Sequence, residues 1–149
     1  MKLGRCRSLR GSFEVTGSSH KQQLIVDDGL INNGLKIISF NVWTDTGSGV
    51  GGIDCNLSLA PMPAHAHYMD ASDNRQIAWV CGGFDNGTPI SIPMQSFIDP
   101  NHVVNRDLYI HAFASVGLWN YLIIFEEYDL TDDEAIVQII KETSQNTTP

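Results

Sequence analysis

Two histidines spaced two residues apart, His65 and His67, are the side chains of this 149-residue chain best placed by spacing to do chemistry. In an extended segment both imidazoles face the same way, a geometry that metal ions use. They sit among Pro61, Pro63 and Ala64, so the competing reading is a pair of loop histidines at a subunit contact. His111, between Tyr109 and Phe113 on one strand face, reads as a packed histidine rather than a catalytic base. Glu126 and Glu127 are adjacent, so in a strand they face opposite sides and form no acid/base pair with each other. The glycines at 47, 49, 51 and 52 are not followed by Gly-Lys-Ser/Thr and match no phosphate loop or dinucleotide fingerprint. No Gly-x-Ser-x-Gly elbow occurs. Trp43, Trp79 and Trp119 are expected in the core, with a sugar-stacking face as the alternative. No enzyme and no cofactor are expected, the alternative being a metalloenzyme that uses His65 and His67.

The charge pattern carries more. The chain has a net charge of −8, and only 17% of its residues are charged, below the ~25% of an average soluble domain. So sparse a charge implies that much of the surface is covered, which copies of the same chain would do. Residues 1–21 hold Lys2, Arg5, Arg7, Arg10 and Lys21 against Glu14, a balance of +4 that leaves −12 for the rest. A basic segment on an acidic body suits docking onto an acidic partner. Five cations without interleaved aromatics do not describe a nucleic-acid surface, and no nucleic-acid partner is expected. No apolar run reaches the ~18–20 residues of a membrane span, so no span is expected. Met1–Arg10 lacks the apolar stretch of a secretory signal. Cys6, Cys55 and Cys81 are odd in number and far apart, and read as isolated thiols of a reducing compartment.

The elements that must position these residues are strands. Ile53, Cys55, Leu57 and Leu59 are apolar while Asp54, Asn56 and Ser58 are polar, so one face should meet a core and the other water. Further strands are expected within Gly11–Gly17 and at Gln22–Asp27, Leu35–Asp45, Gln76–Cys81, Ile90–Gln95, Asp107–Ala114 and Trp119–Tyr128. Trp119, Tyr121, Ile123 and Phe125 share a face, with Leu122 and Ile124 apolar on the other, which makes the last strand central. Pro93 marks an edge strand or a bulge. Met62–Arg75 is a long connection. Thr131-Asp132-Asp133-Glu134 is a capping box opening the only helical pattern, with Ile136, Ile139 and Ile140 as its apolar stripe.

The expected organisation is a basic N-terminal arm over 1–12, a β-sandwich over 13–130, a helix over 131–145 and a flexible tail over 146–149. The fold class is all-β, a jelly-roll-like sandwich with one short C-terminal helix. Lys2, Arg5, Arg7, Arg10, Ile136, Ile139 and Ile140 are the candidate contacts with partner subunits. Strand order is not written in the periodicity.

Two resemblances follow from particular segments. His65-Ala66-His67 resembles the first motif of the cupin metalloproteins, but the acids that follow, Asp70 and Asp73, are a methylene shorter than the expected glutamate. The later His102 and His111 also lack the second motif's setting. Over most of the chain, the closer likeness is carried by Ile25-Val26-Asp27-Asp28-Gly29 leading into Gly34-Leu35-Lys36, by Asp73-Asn74-Arg75-Gln76-Ile77-Ala78-Trp79, by Ile98-Asp99-Pro100-Asn101, by Arg106-Asp107-Leu108-Tyr109-Ile110 and by Asn120-Tyr121-Leu122-Ile123. These segments resemble small structural proteins of marine bacteriophages. That resemblance implies a capsid or capsid-accessory protein located in the virion, assembled in the host cytoplasm and surrounded by copies of itself and other virion proteins. It carries no catalytic residue. The acidic body departs from a coat protein that wraps genome, and implies an outer, bridging or vertex position.

Overall fold

The last strand organises the molecule. In the computed structural model, which describes residues 2–17, 19–24, 33–44, 51–62, 69–84, 91–104, 107–114 and 116–137, eight strands run in chain order. They are β1 (Lys2–Val15), β2 (Ser19–Leu24), β3 (Asn33–Thr44), β4 (Gly51–Ser58), β5 (Gln76–Phe84), β6 (Ser91–Ile98), β7 (Leu108–Ala114) and β8 (Gly117–Asp129). β8 lies between β1 and β3 in a three-stranded sheet, and the other five form a second sheet in the order β2-β7-β4-β5-β6. Every pairing is antiparallel.

The order is that of a long hairpin rolled up. β1 pairs with β8, β2 with β7 and β4 with β5, each early strand with a late one, which gives a jelly-roll-like sandwich. The departure is β6. It stays on β5, and meets β3 across the sandwich edge through a hydrogen bond from Ser96 Oγ to the Phe40 carbonyl (2.5 Å).

Period-2 alternation explains the core. Trp119, Tyr121, Ile123 and Phe125 of β8 are buried against Ile53, Cys55 and Leu57 of β4 and Leu108, Ile110 and Ala112 of β7, as two inner faces of a sandwich should be. At one corner the Phe13 ring stacks on His20, with centroids 4.8 Å apart, where the chain crosses from β1 to β2. Gly82 and Gly83 of β5 have φ of 145° and 115°. A Cβ on Gly82 would lie 2.7 Å from the Pro93 carbonyl oxygen, so glycine is required where β6 bulges against β5.

One boundary differs from expectation. The limit placed at residue 12 falls inside β1: the basic segment from Lys2 onward is sheet, paired with β8 along its length. Its alternation is hidden in sequence because an edge strand buries few of its side chains. At the other end, residues 132–137 are helical. Thr131 caps this helix, its Oγ1 accepting the Glu134 amide at 3.2 Å. Residues 138–149, including Ile139, Ile140 and the expected tail, lie outside the described residues.

Candidate functional site

The outward faces of the two sheets are unlike. On the five-stranded sheet, register places Lys21 (β2), His111 (β7), Asn56 (β4) and Trp79 (β5) in one row across the strands, with Phe97 (β6) at its end. Ser58 and Gln76 stand in the next row. Asn56 and Ser58 are fully buried, His111 is 1% exposed and Gln76 is 3% exposed. The expectation that the polar side of β4 faces water is therefore corrected: Asp54 is exposed, but Asn56 and Ser58 are covered. Residues 59–62 and 69–75 of the connection from β4 to β5 fold back against this face.

This strap is pinned by hydrogen bonds. The Met62 amide donates to His111 Nε2 at 3.0 Å, and Lys21 Nζ donates to the Met62 carbonyl at 2.8 Å. The Met62 side chain is itself buried. Further along, Gln76 Oε1 accepts both the Asp70 amide (3.0 Å) and the Trp79 indole N–H (2.7 Å). Asp73 holds Arg75 through two contacts, 2.9 and 2.7 Å. The hydrogen bond from Arg75 keeps the Asp73 carboxyl below its ordinary range.

Electrostatics fixes His111 as neutral. Burial, reinforced by the neighbouring Lys21 ammonium, pushes its pKa down to about 4. With Nε2 accepting from Met62, the ring proton belongs on Nδ1, which has no hydrogen-bond partner. Burial also pushes the Cys55 thiol well up, so it is an inert core thiol. The three cysteines are free. His111 thus works as a strut, and only its burial is legible in the residue pattern. Asn56, Ser58 and Gln76 went unsuspected, because a polar residue in an alternating strand normally signals solvent.

The three-stranded sheet presents an open outer face. Leu118, Asn120, Leu122, Ile124 and Glu126 of β8 point outward, flanked by Ser8, Arg10, Ser12 and Glu14 of β1 and by Lys36, Ser39, Asn41 and Trp43 of β3. Trp43 is 44% exposed and Leu118 45%. Of the tryptophans, only Trp119 is in the core. The core expectation for Trp43 and Trp79 is corrected: each sits on an outward strand face, because its alternation phase opposes that of its buried neighbours.

The candidate contacts are scattered. Glu127 of β8 binds Arg5 Nε at 3.0 Å and Arg7 Nη1 at 2.7 Å, so these two cations engage the chain's own body. The bond from Arg7, joined by that from Arg5, lowers the Glu127 carboxyl pKa. Arg10 is exposed on the outer face just described, Ile136 is exposed, and Ala135 beside it is buried. The Lys2 side chain and residues 63–68, with His65 and His67, lie outside the described residues. Among the described residues no three His, Cys, Asp or Glu side chains gather as metal ligands, and no helix is long and apolar enough to cross a membrane.

Three of the four sheet-edge strands carry features that discourage pairing. β1 carries three arginines and a register break between Leu3 and Cys6. β6 carries Pro93 and a bulge between the residues opposite Cys81 and Gly83. β3 is bridged at Leu35 by Val104, with hydrogen bonds of 2.6 and 2.7 Å. These devices discourage edge-to-edge pairing at those strands. The chain matches no family model, no curated protein and no solved structure.

Proposed function

We propose that this protein is a non-enzymatic structural subunit that associates with copies of itself, as a capsid or capsid-accessory component of a virus particle. The observation that carries the reading is the open outer face of the three-stranded sheet. Leu118, Leu122, Ile124 and Trp43 gather apolar surface around Asn120 there, on a chain that covers part of the equivalent face of its other sheet with its own strap. Uncovered apolar surface beside polar flanks suits a contact with another protein. The virion setting, and assembly in a host cytoplasm, rest on the likeness of the sequence segments to structural proteins of marine bacteriophages. The net charge of −8 favours an outer, bridging or vertex position over contact with packaged nucleic acid.

The test is the native mass by light scattering over a concentration series, with imaging of any assembly. Oligomers or lattices are expected. A chain that stays monomeric at millimolar concentration overturns the reading.

A second reading has one supporting observation. Trp79 and Phe97 are direct cross-strand partners on the outer side of the five-stranded sheet, and Phe97 is 53% exposed. Together with the half-exposed Trp43, such aromatic surface suits a carbohydrate- or receptor-binding module. Sugar-dependent protection of tryptophan fluorescence from small quenchers is the expected sign, and a blank glycan array rejects it.

A further inference from the structure

We infer that the outer face of the three-stranded sheet is a self-complementary interface, occupied by the same face of a second copy related by a two-fold axis. This deepens the proposed function and rests on it, naming the surface and geometry of one self-contact.

Charge selects the occupant. The outward positions described on this face hold Arg10 and Lys36 against Glu14 and Glu126, a balance of zero on a chain of −8. Two copies carrying −8 each repel through most of their surfaces. Salt confines that repulsion to about 8 Å at physiological ionic strength, so the charges at the contact decide. The balanced face is where two identical acidic bodies can meet.

Register supplies the symmetry. Along β1 and β8, Arg10 lies beside Leu122, Ser12 beside Asn120 and Glu14 beside Leu118, while Trp43 of β3 lies beside Asn120. Consider a two-fold axis lying across the strands at the Ser12–Asn120–Trp43 row. It sets Arg10 of one copy opposite Glu14 of the other, and Glu14 opposite Arg10. It also sets Leu122 opposite Leu118, so apolar meets apolar and the Arg10–Glu14 pair forms twice. An isologous contact requires this self-matching. Arg10 and Glu14 are both exposed and so free to reach across, unlike Arg5 and Arg7, which Glu127 holds. The arginines and register break of β1, which borders this face, favour face-to-face stacking over pairing at that edge.

A charge-swap series measured by sedimentation equilibrium tests the inference, with circular dichroism confirming folding. Arg10→Glu places two acids opposite two acids, and Glu14→Arg two cations opposite two cations. Each is expected to weaken dimerisation about tenfold. The double variant Arg10→Glu, Glu14→Arg restores the pairs in reverse and should recover most of the wild-type affinity. Leu118→Glu, placed in that apolar surface, should abolish the dimer. If the wild type associates but the single swaps match it, or the double swap recovers nothing, this interface is wrong while self-association stands. If the wild type does not associate at all, the underlying reading fails.

Discussion

The two outward faces solve one problem differently. A sheet covered on its inner face still has an outer face to satisfy. On the five-stranded sheet the chain uses its own β4–β5 connection, and because that cover is backbone, the face beneath is polar: His111 accepts the Met62 amide and Gln76 accepts the Asp70 amide. On the three-stranded sheet the face is apolar at Leu118, Leu122 and Ile124 and stays open. A loop brings N–H and C=O groups that need partners, so its platform is amide and imidazole. Under the proposed interface a second sheet would bring side chains instead, which suits a platform that is aliphatic with a few charges of both signs.

The sharpest way to break this contrast is at Gln76. Gln76→Leu removes the acceptor shared by the Asp70 amide and the Trp79 indole. Leaving two covered donors without it should cost about 2–4 kcal/mol, read as a lower urea midpoint at unchanged slope. A cost below ~0.5 kcal/mol would mean that water reaches these donors and the strap is no true cover.

A smaller effect, and one that identifies the strut, is acid sensitivity. His111 has a folded pKa of about 4, lowered by burial and then by Lys21, against an ordinary value of about 6.5. Between those values the unfolded chain binds a proton that the folded chain refuses. Stability is therefore full above pH ~6.5 and falls as the pH drops toward 4, by on the order of 2–3 kcal/mol. His111→Gln keeps an acceptor for the Met62 amide without titrating, and should flatten that slope. Lys21→Met removes a neighbouring positive charge as well as a bond to the Met62 carbonyl. It should cost about 1 kcal/mol at pH 7 while raising the His111 pKa, visible as an imidazole resonance that titrates at higher pH.

How far the sequence disclosed this follows from the same contrast. β8 was legible because both of its faces are apolar, as a central strand's should be, and all four inner residues from Trp119 to Phe125 are buried. Pro93 correctly marked β6 as an edge with a bulge, and the Thr131 cap marked the helix start. The polar face of β4 misled, because its pattern is the same whether the polar residues meet water or the chain's own backbone. Only the fold back of residues 59–62 and 69–75 tells which. β1 was read short because Arg5, Arg7 and Arg10 interrupt any apolar period, and an edge strand needs none. The open apolar face was half visible in Leu122 and Ile124. Its matched charges depend on the register of β1 and β3 against β8, which no periodicity contains.

The smallest expected effect sharpens the contrast from the other side. Leu118→Ser and Trp43→Ser change residues that are already 45% and 44% exposed, so in the monomer they lose little burial and leave no buried polar group without a partner. Each should move the stability of dilute protein by no more than about 0.5 kcal/mol. At high concentration the wild type's unfolding midpoint should rise with protein concentration, because a partner that binds only the folded chain stabilises it. In the serine variants that rise should vanish. If instead Leu118→Ser costs as much in dilute solution as Gln76→Leu, that surface is already covered within the monomer. The two faces would then differ only in how each is closed.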